Sequence, residues 1–357
     1  MEGGNISNFG GFFMFWLTKR KMATFFYMLR FCIGLLIFLF ASPFGCSTAQ
    51  ALEREGTLAQ GNSNNLVWSI FAQTGFQKMD LSFDAPFTTG ALGPALFYPS
   101  PLDLELHNSD LWVGGLGADV RKGRFSGFFE ARANIPKDTD VTASSEPFWA
   151  GTYPVEWNDC ELNWRAINAG VGFDITRHFS IQVGLKVEHL SLDLENPVDS
   201  AGLIPRYVNT YGDSYSGDLE SELLIPWIGI RAQASRLTAD LRYSPYAHTD
   251  LKIPLTYTYI SSPVLNYIEN EDYSFRDNGH WFEATLAYDF FKSTKWLCSL
   301  WTEASWLWTD GNTSLDYRIT AYPSGLPATT VYTGSTSEDG KYKNSTYGAG
   351  LRITYYF

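Results

Sequence analysis

The sequence has 357 residues and a formal net charge of -12, with charged residues only 18% of the chain and aromatic residues 16%. An acidic chain of this kind is a poor nucleic-acid binder, its near-neutral mean hydropathy excludes a bundle of membrane helices, and its aromatic content exceeds that of ordinary soluble domains. No stretch beyond residue 60 reads as a linker between two cores, so a single large all-β domain fits the length.

The chain opens with Lys19, Arg20, Lys21 and Arg30 against Glu2 alone, then an apolar run from Phe31 to Phe40, then small residues ending in Ala49-Gln50-Ala51. That is the order of a secretory signal with an A-x-A cleavage site, and the run is too short to cross a bilayer as a helix. Residues 1–51 are expected to be this signal region, with Met22 as an alternative start, and residues 52–357 the mature domain. Pro43-Phe44-Gly45 suits lipoprotein processing at Cys46 badly. Cys160 and Cys298 then remain, too few for a disulfide framework.

Along the mature chain, ten strands are expected, at about residues 66–80, 109–120, 124–135, 160–174, 179–193, 217–233, 237–250, 274–290, 295–309 and 344–357. In the third, Phe125, Gly127, Phe129, Ala131 and Ala133 alternate with Ser126, Phe128, Glu130, Arg132 and Asn134. In the fifth, Ile181, Val183, Leu185 and Val187 alternate with Gln182, Gly184, Lys186 and Glu188. Pro226 falls inside the sixth, where a closed sheet has no free edge, and so marks a bulge. The seventh sets Leu237, Ala239, Leu241 and Tyr243 against Thr238, Asp240, Arg242 and Ser244, and the ninth alternates in the same way from Trp296 to Trp308. The tenth runs Tyr347, Ala349, Leu351, Ile353, Tyr355, Phe357 on one face and ends the chain on that aromatic.

In each of these segments the charges share one face. A sandwich would need a single core to absorb all the aromatic-rich faces, which are too many and too long for that. A closed antiparallel transmembrane β-barrel of about ten strands sets them against lipid and keeps charge inside. Arg121-Lys122-Gly123, Thr176-Arg177-His178, Ser235-Arg236 and Lys292-Ser293-Thr294 read as tight turns, whereas residues 136–157, 195–216, 251–271 and 310–340 read as long loops. Short periplasmic turns, long outer loops and an even strand count are the rule in the bacterial outer membrane, which is the expected localisation, with outer-membrane lipid as the expected partner. The inward charges Glu130, Arg132, Lys186, Glu188, Asp240, Arg242, Glu283, Asp289, Glu303 and Arg352 either line a narrow aqueous path or close on one another as a network. Barrels of about 8 strands are filled by side chains and those of about 16 hold a channel, so a ten-stranded one is not a wide porin.

Pro226-Trp227-Ile228-Gly229, a tight turn and then Tyr243-Ser244, followed after the ninth strand by Gly311-Asn312-Thr313-Ser314-Leu315, resemble the omptin-like barrels, a family of ten-stranded outer-membrane proteins that includes surface endoproteases. The composition is also similar to that of the porin-type outer-membrane proteins of environmental chlamydiae. What the omptin resemblance implies is a pair of carboxylates facing an Asp-His pair across the barrel mouth, with a water between them for attack on a peptide carbonyl. Asp138 and Asp140 form a D-x-D pair in the inward parity of Glu130 and Arg132 if the third strand passes Pro136. His248 and Asp250 continue the inward parity of Asp240, Arg242 and Ser244. The family pattern has Asp two residues before His, whereas His248 precedes Asp250, and Ile253-Pro254-Leu255 stands where the Asp-x-His should lie.

His107, His178, His189 and His280 lack partners at metal-ligand spacing and read as rim or loop residues, so neither metal nor cofactor is expected. No nucleophile elbow, phosphate loop or dinucleotide fingerprint occurs. The expectation is a surface or narrow-pore barrel without catalysis, its loop ligand open, with an omptin-type endoprotease as the alternative.

Overall fold

The computed structural model describes residues 66–87, 102–145, 153–194, 197–198, 214–262 and 265–357. The expected signal region lies outside them. Twelve strands follow in order: β1 (Leu66–Ala85), β2 (Leu102–Lys122), β3 (Phe125–Asn134), β4 (Lys137–Ser145), β5 (Tyr153–Asp174), β6 (Phe179–Leu194), β7 (Pro197–Val198), β8 (Ser214–Ala234), β9 (Leu237–Ser262), β10 (Leu265–Lys292), β11 (Trp296–Pro323) and β12 (Thr329–Tyr356). All pairings are antiparallel, and pairing of β1 with both β12 and β2 closes the sheet on itself. Strands β3 and β4 form one stave broken at Ile135-Pro136, and the two-residue β7 lies off the ring, so the barrel has ten staves.

Each expected strand is present, and the four tight turns stand together at the end where Leu66 and Phe357 also lie. The long loops are corrected in part. Residues 251–262, 265–271, 310–323 and 329–340 continue as strand, so β10, β11 and β12 each run for 28 residues. They stay strand because the alternation persists: Leu251, Ile253 and Leu255 are buried beside exposed Lys252 and Pro254, and Leu315, Tyr317 and Ile319 beside exposed Asp316 and Arg318.

Along each long stave the polarity of the two faces inverts. On β1 the outward face reads Leu66, Trp68, Ile70, Ala72, Thr74, Phe76 and then Lys78, Asp80, Ser82, Asp84. The inward face does the opposite, passing from Ser69, Gln73 and Gln77 to Met79, Leu81, Phe83 and Ala85. β11 inverts likewise, with Leu300 and Trp308 outward below and Asp310, Asn312 and Asp316 above. The side-chain parity is unchanged through the switch, so it is the surroundings of the sheet that change. Ten residues of outward apolar face, at about 3.4 Å each and tilted about 40°, span roughly 25 Å, the height of a lipid-facing band.

Two aromatic girdles bound the band. The upper one contains the Phe76–Trp112 edge contact at 4.2 Å and Tyr243, His280 and Trp308 stacked in succession, and the lower one Phe125–Phe173 at 5.3 Å and Trp296–Tyr355 at 4.8 Å. Above the band the sheet has a polar exterior and an apolar interior, like a soluble β-protein. Its core includes Phe83, Leu104, Leu162, Leu192, Ile253, Phe275 and Tyr342.

Inside the lipid-level half, large indoles lie over glycines. Gly75 and Gly350 face each other across β1 and β12, and a Cβ on Gly350 would stand 2.0 Å from the Thr74 carbonyl oxygen and 2.8 Å from the Trp301 ring. Trp227 covers Gly184 in the same way. The missing side chains give the indoles room on a barrel wall of small radius.

Candidate functional site

None of the four candidate residues reaches the lumen. Inward parity in β3 is even (Glu130, Arg132, Asn134), but the break at Ile135-Pro136 resets it, so that in β4 Thr139 and Val141 face inward and Asp138 and Asp140 are exposed. Proline lacks the N–H needed to carry the ladder through. In β9 the register against β8 moves from Leu224↔His248 to Ile228↔Tyr243, and against β10 from Gly279↔Ala247 to Trp281↔Ser244. The expected bulge at Pro226 is thus present, with the extra residue in the facing strand at Pro245-Tyr246. It turns Ala247, Thr249 and Leu251 inward and His248 and Asp250 outward.

On the outer face, His248 Nδ1 lies 3.2 Å from Asn278 Oδ1, and Asp250 accepts from Arg276 Nε at 3.0 Å and is paired with its terminal nitrogen as well. Thr139 takes the inward place beside Asp138, its hydroxyl 2.6 Å from that of Ser109. These four side chains do not form a carboxylate-water-imidazole arrangement across the mouth. Of the other histidines, His178 sits in a turn as expected, whereas His280 is packed into the aromatic stack of the upper girdle with Nδ1 2.9 Å from the Tyr243 hydroxyl. Among the described residues no three His, Cys, Asp or Glu side chains are grouped to hold a metal ion.

The inward charges do meet, and they form a network. Glu283 accepts from Lys186 Nζ at 2.9 Å and from Arg242 at 2.6 Å, and Lys186 also pairs with Glu188 at 2.6 Å. Arg132 bonds Glu303 at 2.8 Å and Glu130, and Gln73 donates to Glu130 while accepting from Arg352 at 2.7 and 2.9 Å. Nearer the turns, Arg231 grips Asp240 with two bonds of 2.6 and 3.0 Å.

Four of these cations also lie on a ring: Arg132 over Trp301 at 5.6 Å, Lys186 over Trp281 at 5.0 Å, Arg242 over Trp227 at 4.8 Å and Arg352 over Phe71 at 4.3 Å. Desolvated cation–π contacts of this kind contribute about 2 kcal/mol. Of these groups the sequence marks only Trp227, and as part of a motif rather than as a partner of charge; Phe71, Gln73, Trp281 and Trp301 are marked by their place on the inward parity of β1, β10 and β11. Burying so many ions is unfavourable unless each is paired, and here each of these cations has both an anion or amide and a π-face.

The network and the core above it fill the interior at two levels. The hollow lined by Glu130, Arg132, Trp164, Asn168, Lys186 and Glu283 leaves about 10 Å³ for the centre of a water molecule, room for about one water. Of the two uses open to the inward charges, they serve the second: they close on one another.

The barrel closure, the lipid-facing band between aromatic girdles and the paired interior define an outer-membrane-type β-barrel. No protein-family model and no curated protein matches the chain. Among solved structures, the chain is similar to the outer membrane protease OmpT from Escherichia coli, with a TM-score of 0.52 at 11% identity over 82% of this chain and 97% of that one. Weaker likenesses include the translocator domain of the autotransporter NalP from Neisseria meningitidis (TM-score 0.34, 11% identity, 86% and 94% covered) and the outer membrane protein OprG from Pseudomonas aeruginosa (0.31, 11%, 83% and 98%). At such identity the OmpT likeness bears on fold alone.

Proposed function

We propose that the chain is a non-catalytic, non-conducting surface protein of the bacterial outer membrane, exported by a signal within residues 1–51. The observation that carries this reading is the double closure of the lumen, by paired ions at lipid level and by an apolar core above it. A solute path would need both to open. The outward-facing Asp138, Asp140, His248 and Asp250 support the non-catalytic half, since a hydrolytic water needs a base within about 2.6–3.2 Å and an oriented imidazole beside it.

The polar exterior above the band is a surface suited to water. The test has two arms on the same refolded protein. Planar-bilayer recordings are expected to give no stable openings, and a mixed peptide library no cleavage. Large sustained currents would refute closure, and cleavage abolished by His248→Ala would establish the endoprotease in its place.

A further inference from the structure

The end of the barrel that carries the turns and both strand termini is basic, in a chain that is acidic overall. Its first turn holds Arg121, Lys122 and Arg124, the second Arg177, the third Arg236, and the fourth is flanked by Lys292 and Lys295, all exposed. Backbone hydrogen bonds link the turns into a crown: Asp174 N to Arg124 O at 2.8 Å, Gln233 N to His178 O at 2.9 Å, Asp289 N to Arg236 O at 2.8 Å and Tyr356 N to Lys295 O at 2.8 Å. Of the acids at this level, Asp119, Asp240 and Asp289 have inward parity and Asp174 is paired with Arg121, which leaves the bases of the turns in excess. The lower aromatic girdle stands directly against these bases, Phe125 next to Arg124 and Trp296 next to Lys295, with Phe125 67% and Trp296 48% exposed. Bases and aromatics therefore share the level of a bilayer's headgroups.

Between the first two turns the crown opens into a hollow of about 180 Å³ lined by Arg121, Arg124, Asp174, Ile175, Thr176 and Arg177. Arg121 is paired with Asp174. Arg124 and Arg177 show no ion pair among the described residues. The Thr176 oxygen already accepts from the His178 and Phe179 amides, at 3.2 and 3.1 Å, which leaves its hydroxyl proton to donate. Two unpaired guanidiniums and a hydroxyl around one hollow match the oxygens of a phosphodiester.

We propose that this hollow binds the headgroup phosphate of an anionic phospholipid in the periplasm-facing leaflet, and that the remaining basic turns hold the rim against the same leaflet. The inference rests on the membrane-barrel reading above and adds the class of lipid and its place. Phosphate with no acyl chain would offer nothing to Ile175, Phe125 and Phe173, which flank the arginines on the lipid side. Because these groups lie against the leaflet, a phosphate carried by a lipid of that leaflet meets both them and the arginines.

The test is native mass spectrometry of the protein extracted in mild detergent and mixed with equal amounts of phosphatidylglycerol and phosphatidylethanolamine. Retained adducts are expected to be predominantly phosphatidylglycerol. Arg124→Gln with Arg177→Gln is expected to weaken their retention about thirtyfold, while Lys292→Gln with Lys295→Gln across the rim changes it less than about threefold.

Equal retention of both lipids, equal loss in both double variants, or displacement of the lipid by millimolar inorganic phosphate would overturn the proposal. So would a double arginine variant that keeps its phosphatidylglycerol but no longer binds purified cell-wall sacculi. Heat-modifiable gel migration of the same samples reports the barrel separately: its absence strikes the membrane-barrel reading, and its presence without a lipid preference strikes this inference alone.

Discussion

Glu283→Ala probes whether the lumen is a dry ionic network or a hydrated path. Glu283 is 2% exposed and holds two cations, Lys186 and Arg242, through separate carboxylate oxygens. Without it Lys186 keeps Glu188 at 2.6 Å, but Arg242 loses the only carboxylate bonded to it among the described residues, and its Nε is already buried without a hydrogen bond. The Trp227 face stays in place with or without Glu283, so it does not offset the loss. Leaving a buried charge unpaired costs about 3–5 kcal/mol, whereas breaking a hydrated pair costs at most about 1 kcal/mol. Equilibrium urea unfolding in lipid vesicles, followed by tryptophan fluorescence, is expected to show the larger loss. Glu283→Ala with Arg242→Met removes both charges and is expected to recover most of it. A loss below about 1 kcal/mol in the single variant would mean that water already screens these ions, and the closed-lumen reading would fail with it.

The inversion of polarity predicts opposite tolerances above and within the band. Phe275→Ala, in the upper core, is expected to cost about 3–5 kcal/mol in the same unfolding assay, and Val183→Arg on the lipid face about 2–4 kcal/mol, while Asp316→Lys on the upper exterior, opposite Asp272 and Ser335, stays within about 0.5 kcal/mol. Gly350→Ala, which places a Cβ against Thr74 and Trp301, is expected to cost about 1–3 kcal/mol, read as a lower unfolding midpoint. Asp250→Asn breaks only an exposed pair with Arg276 and is expected to change stability by less than about 1 kcal/mol, which the same titration would detect.

Much of the barrel was legible because a strand's side-chain period is two and each outward run has to be apolar. That signal located the strands, the four turns and the inward charges, since none depends on knowing the neighbouring stave. The inner apolar face of the upper half was also written in the alternation, as Met79, Leu81 and Phe83 on β1 and Leu315, Tyr317 and Ile319 on β11. It was missed where an acidic exterior resembled loop composition, which is why residues 251–271 and 310–340 were expected to leave the sheet.

The outward placement of the four candidate residues has a different reason. Assigning Asp138, Asp140, His248 and Asp250 to the lumen extrapolated parity across Pro136 and across Pro245-Tyr246, and one break or one extra residue sends every later side chain to the opposite face. A proline announces that the ladder is interrupted but not by how many residues. The sequence by itself determined the alternation, the turns and the charges that must face inward. Only the tertiary structure decided where the parity resets and that Glu283 joins Lys186 of β6 to Arg242 of β9. Those facts depend on register between strands distant in sequence, which local periodicity does not encode.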